Sequence, residues 1–110
     1  MANQKIPSKH YHQLLKKFPS VMSAIENLGA AIRDEGSIDD KTTELIQLAA
    51  ASTLQSEGAV HSHTRRAFQN GATKDEIYHT ILLLVSTIGF PRVSAAISWA
   101  QDVLDNKKKK

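Results

Sequence analysis

Between Leu45 and Leu54 the chain is apolar around most of a helix's circumference. Leu45, Ile46, Leu48, Ala49, Ala50 and Leu54 recur at helical spacing, and Ala49, Ala50, Ala51 and Ser52 are small enough for other helices to approach closely. Such a helix needs cover on several sides. It belongs inside a helical assembly rather than on its surface.

The flanking segments also read as helices. Residues 8–18 put Tyr11, Leu14, Leu15 and Phe18 on one face. Pro19 breaks that helix or starts the next. Residues 20–33 carry Val21, Ile25, Leu28 and Ile32, and Glu35-Gly36 suits a helix end. Ser37 or Asp39 can cap the third helix, which runs to Leu54. Ser56-Glu57-Gly58 reads as a turn. A fourth helix then spans about Ala59 to Asn70, with Gly71 suited to the left-handed position after it. Thr73 with Glu76 forms a capping box opening a fifth helix over residues 74–88. Its stripe is Ile77, Ile81, Leu84, Val85 and Ile88, widened by Leu82 and Leu83. Gly89-Phe90-Pro91 breaks the chain again, and Pro91 fits the first turn of a sixth helix reaching about Asp105. No segment alternates with a period of two. The expectation is one all-α domain of five to six helices over residues 1–106, with residues 1–7 unstructured and residues 107–110 a disordered lysine tail.

Composition narrows the function classes. A chain of 110 residues with 41% hydrophobic content builds one small core, and apolar faces left over favour completion by oligomerisation. There is no cysteine, which excludes disulfides, thiolate catalysis and cysteine-based zinc sites. The first residues lack the uninterrupted apolar core of a secretory signal. The longest apolar run, residues 81–85, is far too short to span a bilayer. A cytoplasmic protein with no membrane partner is expected. The net charge is +3, but residues 107–110 are all lysine, so the rest of the chain stands at −1. The tail reads as a solubilising end. With aromatics at 5%, there is no stacking platform for single strands, and no specific nucleic-acid partner is expected.

The polar residues that carry chemistry lie within residues 44–77. His61 and His63 are two apart, so on a helix they point about 200° apart. His10 and His12 repeat that spacing. A metal pair on one helix needs members three or four apart, so no metal is expected. His63 shares a face with Ser56, Ala59, Val60, Ala67 and Asn70. That face is small and apolar with a polar rim, and it suits either a packed histidine satisfied by a backbone carbonyl or one looking into a shallow site. His61 lies nearer Glu57, Arg65 and Phe68, on a wetter side. Glu44 sits either in a solvated first turn, favoured by the helix dipole, or in a polar site. A straight helix from Glu44 to Ser56 would separate the two by about 18 Å. Glu44 therefore meets His63 only if the fourth helix folds back far enough, the third helix breaks, or another subunit contributes. Arg65, Arg66 and Arg92 are candidates to clamp a carboxylate in two-pronged geometry, or are simply solvated.

Taken together, Glu44-Leu45-Ile46 on an alanine-rich helix, His63, Ala67, Gly71-Ala72-Thr73, Glu76-Ile77 and Gly89-Phe90-Pro91 resemble the carboxymuconolactone decarboxylase and alkylhydroperoxidase D-like family. The resemblance implies an all-α helical bundle completed by homo-oligomerisation, often as a trimer or hexamer, with sites near subunit contacts. In the family's peroxidase branch a glutamate is followed by a cysteine twelve residues on, a second three later, and a histidine four after that. Here those positions are Glu44, Ser56, Ala59 and His63. Both sulfurs are absent, so thiol peroxidase chemistry is not expected. The decarboxylase branch works without the cysteine pair. For it the resemblance implies acid/base handling of a small carboxylated lactone or related metabolite, with His63 moving a proton, Glu44 assisting and no cofactor. Histidine as a residue type suits that role near neutral pH. Ser56, His61, Arg66 and Arg92 are the candidate substrate contacts. The alternative is a non-catalytic oligomeric member that binds a ligand or partner.

Overall fold

The computed structural model describes residues 9–105. Among these residues there are only helices: α1 (Lys9–Lys17), α2 (Pro19–Glu35), α3 (Asp40–Leu54), α4 (Glu57–Gln69), α5 (Lys74–Leu82), α6 (Val85–Ile88) and α7 (Phe90–Leu104). None of them is long and apolar enough to cross a membrane. The expectations for residues 1–7 and for the lysine tail fall outside the described residues.

The chain divides into two compact units between Ile38 and Asp39. The first holds α1 and α2. Pro19 sits in the first turn of α2, where its missing N–H costs nothing. The Tyr11 hydroxyl donates to the Glu26 carboxylate and ties the two helices together. Met22 is the buried side chain of α2. Val21, Ile25, Leu28 and Ile32 are all between 54% and 61% exposed. Their alternating spacing of four and three is that of a helix–helix seam.

In the second unit Asp39, not Ser37, caps α3. Its carboxylate accepts from the Thr42 N–H at 3.3 Å. That bond holds the Asp39 carboxyl below its usual range. The buried face of α3 is Glu44, Leu48, Ala51 and Ser52. Ile46 and Leu54 stay 52% and 78% exposed, so part of the apolar surface of α3 remains open.

The turn after α3 falls earlier than its sequence suggested. Gln55 takes the left-handed conformation, with φ 57° and ψ 41°, and Glu57-Gly58 already belong to α4. A non-glycine residue there is uncommon. Hydrogen bonds hold it in place. The Gln55 and Ser56 N–H groups donate to the Ser52 and Ala51 carbonyls, each at 3.1 Å. Gln55 Nε2 also donates to the carbonyls of Ser52 at 2.8 Å and Arg92 at 3.0 Å. The tight turn folds α4 back along α3, and these two helices make the most extensive packing in the unit.

At the end of α4 Gly71 has φ +98°, a conformation that strains any side chain. Thr73 and Glu76 close the expected capping box. Lys41 reaches the Glu76 carboxylate at 3.2 Å and links the first turns of α3 and α5. The fifth helix is divided after Leu82. At Leu84 the N–H bonds to Ile81, three residues back, at 3.0 Å instead of four. One tightened turn therefore separates α5 from α6. Counted as one interrupted helix, the two leave six, within the expected number.

The core joins Leu48 and Ala51 of α3, Val60 and Ala67 of α4, Ile77 and Ile81 of α5, and Val93, Ala96 and Ala100 of α7. Its many alanines let helix backbones come close. Asp105 fastens the end of α7: Tyr78 donates to it at 2.7 Å and Lys74 lies 3.3 Å away. Burial, with Asp105 beside it, pushes the Tyr78 phenol from the usual 10 up to about 12. The fold thus favours the neutral phenol. The stability it adds is complete below the unfolded value and is lost as pH rises through about 12. An ultraviolet titration is expected to include a late-ionising tyrosine step, and Tyr78→Phe should remove it.

Candidate functional site

Glu44 continues the buried stripe of α3 one turn before Leu48 and is 3% exposed. It is therefore not the solvated first-turn glutamate that the helix dipole alone would favour. His63 lies on α4, which the Gln55 turn returns along α3. The imidazole Nδ1 and Glu44 Oε1 are 2.8 Å apart, with the two side chains 17% and 4% exposed. Of the routes open to this contact, the chain uses the first: α4 folds back, α3 stays unbroken and one chain supplies both groups. With the carboxylate ionised, Nδ1–H donates to Glu44 and fixes the ring's orientation. Among the described residues no hydrogen bond takes up Nε2, which leaves it as the nitrogen able to give or take a proton.

The other expected residues are placed differently. Ser56 caps α4, its hydroxyl accepting from the Ala59 N–H at 3.4 Å. It shares a face with Ala59 and His63 at spacings of three and four. Arg66 is exposed and one turn beyond His63 on the same face. Arg92 is exposed at the start of α7, with its carbonyl held by Gln55. Arg65 is only partly exposed. Burial, with Arg66 next to it, lowers its guanidinium from the usual value, but it points away from the His63 face.

His61 leaves the Glu44–His63 pair altogether. Its Nε2 lies 3.0 Å from Asp102 Oδ2 on α7 and 3.9 Å from Glu57 Oε2 on its own helix. Histidine spacing alone pointed away from any such grouping. The Glu57–His61 interval of four residues was visible in the sequence, whereas Asp102 joins them only because α7 packs on α4. Thr64 went unnoticed as well. It is fully buried beside His63, and its hydroxyl is the buried side-chain group without a hydrogen-bond partner among the described residues. Thr64→Val keeps the shape and removes the unpaired group, so it is expected to gain about 1 kcal/mol in urea unfolding.

The carboxymuconolactone decarboxylase family model matches residues 19–102. An uncharacterized protein of Methanocaldococcus jannaschii is 28% identical over 92 residues, which cover 84% of this chain and 86% of that protein. The 4-carboxymuconolactone decarboxylase of Acinetobacter baylyi is 36% identical over 62 residues, covering 56% of this chain and 46% of the enzyme. The chain's match thus spans less than half of that enzyme's length. The crystal structure of apo-lpg0406, a carboxymuconolactone decarboxylase family protein from Legionella pneumophila, superposes with a TM-score of 0.76 at 26% identity, covering 90% of this chain and 88% of that one. Matched across both of its compact units and sharing this helical fold, the chain belongs to the carboxymuconolactone decarboxylase family.

Proposed function

We propose that the protein is a decarboxylase-like lyase acting on a small carboxylated lactone, with His63 as the proton-transfer group and Glu44 as its partner. The observation that carries this is the 2.8 Å contact between His63 Nδ1 and the buried Glu44 carboxylate. A carboxylate on one ring nitrogen orients the imidazole and balances the charge it gains when the other nitrogen takes a proton. In the reaction, the bond between the lactone carbon and its carboxylate breaks and carbon dioxide leaves. The electron pair is delocalised toward the lactone carbonyl, and His63 Nε2 delivers a proton to the ring carbon that carries the charge. Solvent then restores the proton to the ring. The step is redox-neutral and uses no thiol, in keeping with a chain that has no cysteine. Arg66, one helical turn from His63, is the proposed anchor for the substrate carboxylate. The relative that carries a named activity, 4-carboxymuconolactone decarboxylase, favours this substrate class.

A panel of carboxylated lactones, β-keto acids and peroxides tests the assignment. Carbon dioxide release from a carboxylated lactone, without peroxide consumption, is the expected result. No release from any lactone, or steady peroxide reduction, would contradict it.

The protein is further proposed to work as a homo-oligomer, a trimer or hexamer. Support comes from α2, whose seam of Val21, Ile25, Leu28 and Ile32 is exposed, and from the exposed Ile46, Leu54, Leu82 and Leu83 of the second unit. Leu28→Asp puts a charge in the α2 seam and is expected to yield a smaller species in light-scattering chromatography. An unchanged mass would remove α2 from the interface.

A further inference from the structure

Glu57, His61 and Asp102 bring one imidazole nitrogen and two carboxylate oxygens within 4.8 Å of one another. Glu57 and His61 are four apart on α4, the interval at which two side chains of one helix share a metal ion. Asp102 comes from α7. His61 and His63 point about 200° apart on α4, so this group is separate from the Glu44–His63 pair.

We propose that Glu57, His61 and Asp102 bind a divalent first-row transition ion that bridges α4 and α7. Distance supports it first. Metal–ligand bonds of about 2.0–2.2 Å place the donors of a tetrahedral ion about 3.4 Å apart. The His61 nitrogen stands 3.0 Å from one carboxylate oxygen and 3.9 Å from the other, on either side of that spacing. Both carboxylate side chains are 58% exposed and free to rotate the remaining tenths, while His61, at 28%, is the more fixed donor.

Charge balance supports it next. Two carboxylates converge on a single ring nitrogen. A proton at Nε2 serves one of them well at 3.0 Å and leaves the other at 3.9 Å. A divalent cation between the three satisfies both at once and matches their combined charge. The donor set settles the class of ion. Imidazole with carboxylate and no thiolate suits zinc, cobalt or nickel, whereas magnesium and calcium prefer oxygen alone. Three protein ligands leave positions for water on the exposed side. Because Glu57 and Asp102 lie on different helices, an ion held this way binds the folded chain and not the unfolded one. It therefore raises the unfolding temperature as its concentration rises.

The test uses the untagged full-length chain, stripped with a chelator that is then removed. Cobalt binding is followed by absorption and zinc binding by calorimetry. The expected result is one saturable ion per chain and an unfolding temperature that climbs with zinc. Affinity should fall at least tenfold in His61→Gln and in Asp102→Asn, and stay unchanged in the His10→Gln, His12→Gln double variant, which removes the exposed histidine pair of α1. Glu57→Gln and Asp102→Asn alter exposed side chains, so they carry the test even if His61→Gln fails to fold. Equal affinity in Asp102→Asn and Glu57→Gln, or no saturable binding in the unaltered chain, would overturn the site.

Discussion

The His63→Gln variant is expected to lower turnover of a carboxylated lactone by about 10²–10⁴-fold, the usual contribution of a positioned proton-transfer group. Its helix content should be unchanged. Glutamine can still donate to Glu44, so the stability cost should stay near 1 kcal/mol, that of one weakened hydrogen bond. The two readouts separate catalysis from packing. If the histidine only filled space between α3 and α4, turnover would survive and the unfolding midpoint alone would move. Steady-state rates on a lactone, beside urea unfolding of the same preparations, make the comparison.

Glu44→Ala is expected to damage both properties. Glu44 is 3% exposed and accepts the His63 hydrogen bond at 2.8 Å. Alanine leaves a largely buried N–H without its acceptor, at a cost of about 1–3 kcal/mol in urea unfolding. The imidazole also loses the group that orients it, and small misplacements of reacting groups cost on the order of 10²-fold in rate. Glu44→Gln separates the two effects. Its amide oxygen can accept from Nδ1, so most of the stability should return, but the negative charge is gone. Turnover should therefore stay low in Glu44→Gln while the unfolding midpoint recovers. Turnover at the unaltered rate in that variant would mean that the carboxylate's charge takes no part.

Much of the fold was legible because its signals are local. Pro19 at the boundary of α1 and α2, a cap at Ser37 or Asp39, Gly71 after α4 and the Thr73–Glu76 capping box each act within a few residues. The division of the fifth helix was not legible. Leu82, Leu83, Leu84 and Val85 all suit a continuous helix, and the change is a local tightening in which the Leu84 and Thr87 N–H groups bond three residues back instead of four. The turn at Gln55 was misplaced for a similar reason. Glycine at position 58 is the obvious turn residue, yet the left-handed position is taken by a glutamine whose side chain bonds to Ser52 and to Arg92, which is distant in sequence.

That turn also explains why the site was legible as residues but not as a contact. The chemistry of Glu44 and His63 could be read from residue type and family resemblance. Whether they meet depends on how α4 returns along α3, and the Gln55 turn sets that. Glu44 further owes its burial to its register with Leu48, Ala51 and Ser52, a face chosen by packing from a helix that is apolar nearly all round. Asp102 beside His61 depends on the packing of α7 against α4, which no local pattern announces.

The most direct measurement is decarboxylation of a carboxylated lactone in deuterated water by the unaltered chain and by His63→Gln. Proton delivery by His63 predicts one carbon dioxide released per product formed, one deuterium bound to a ring carbon of the product, and an equal fall in the rates of both in the variant. Equal rates of carbon dioxide release from the two proteins, or product that carries no deuterium at a ring carbon, would contradict it.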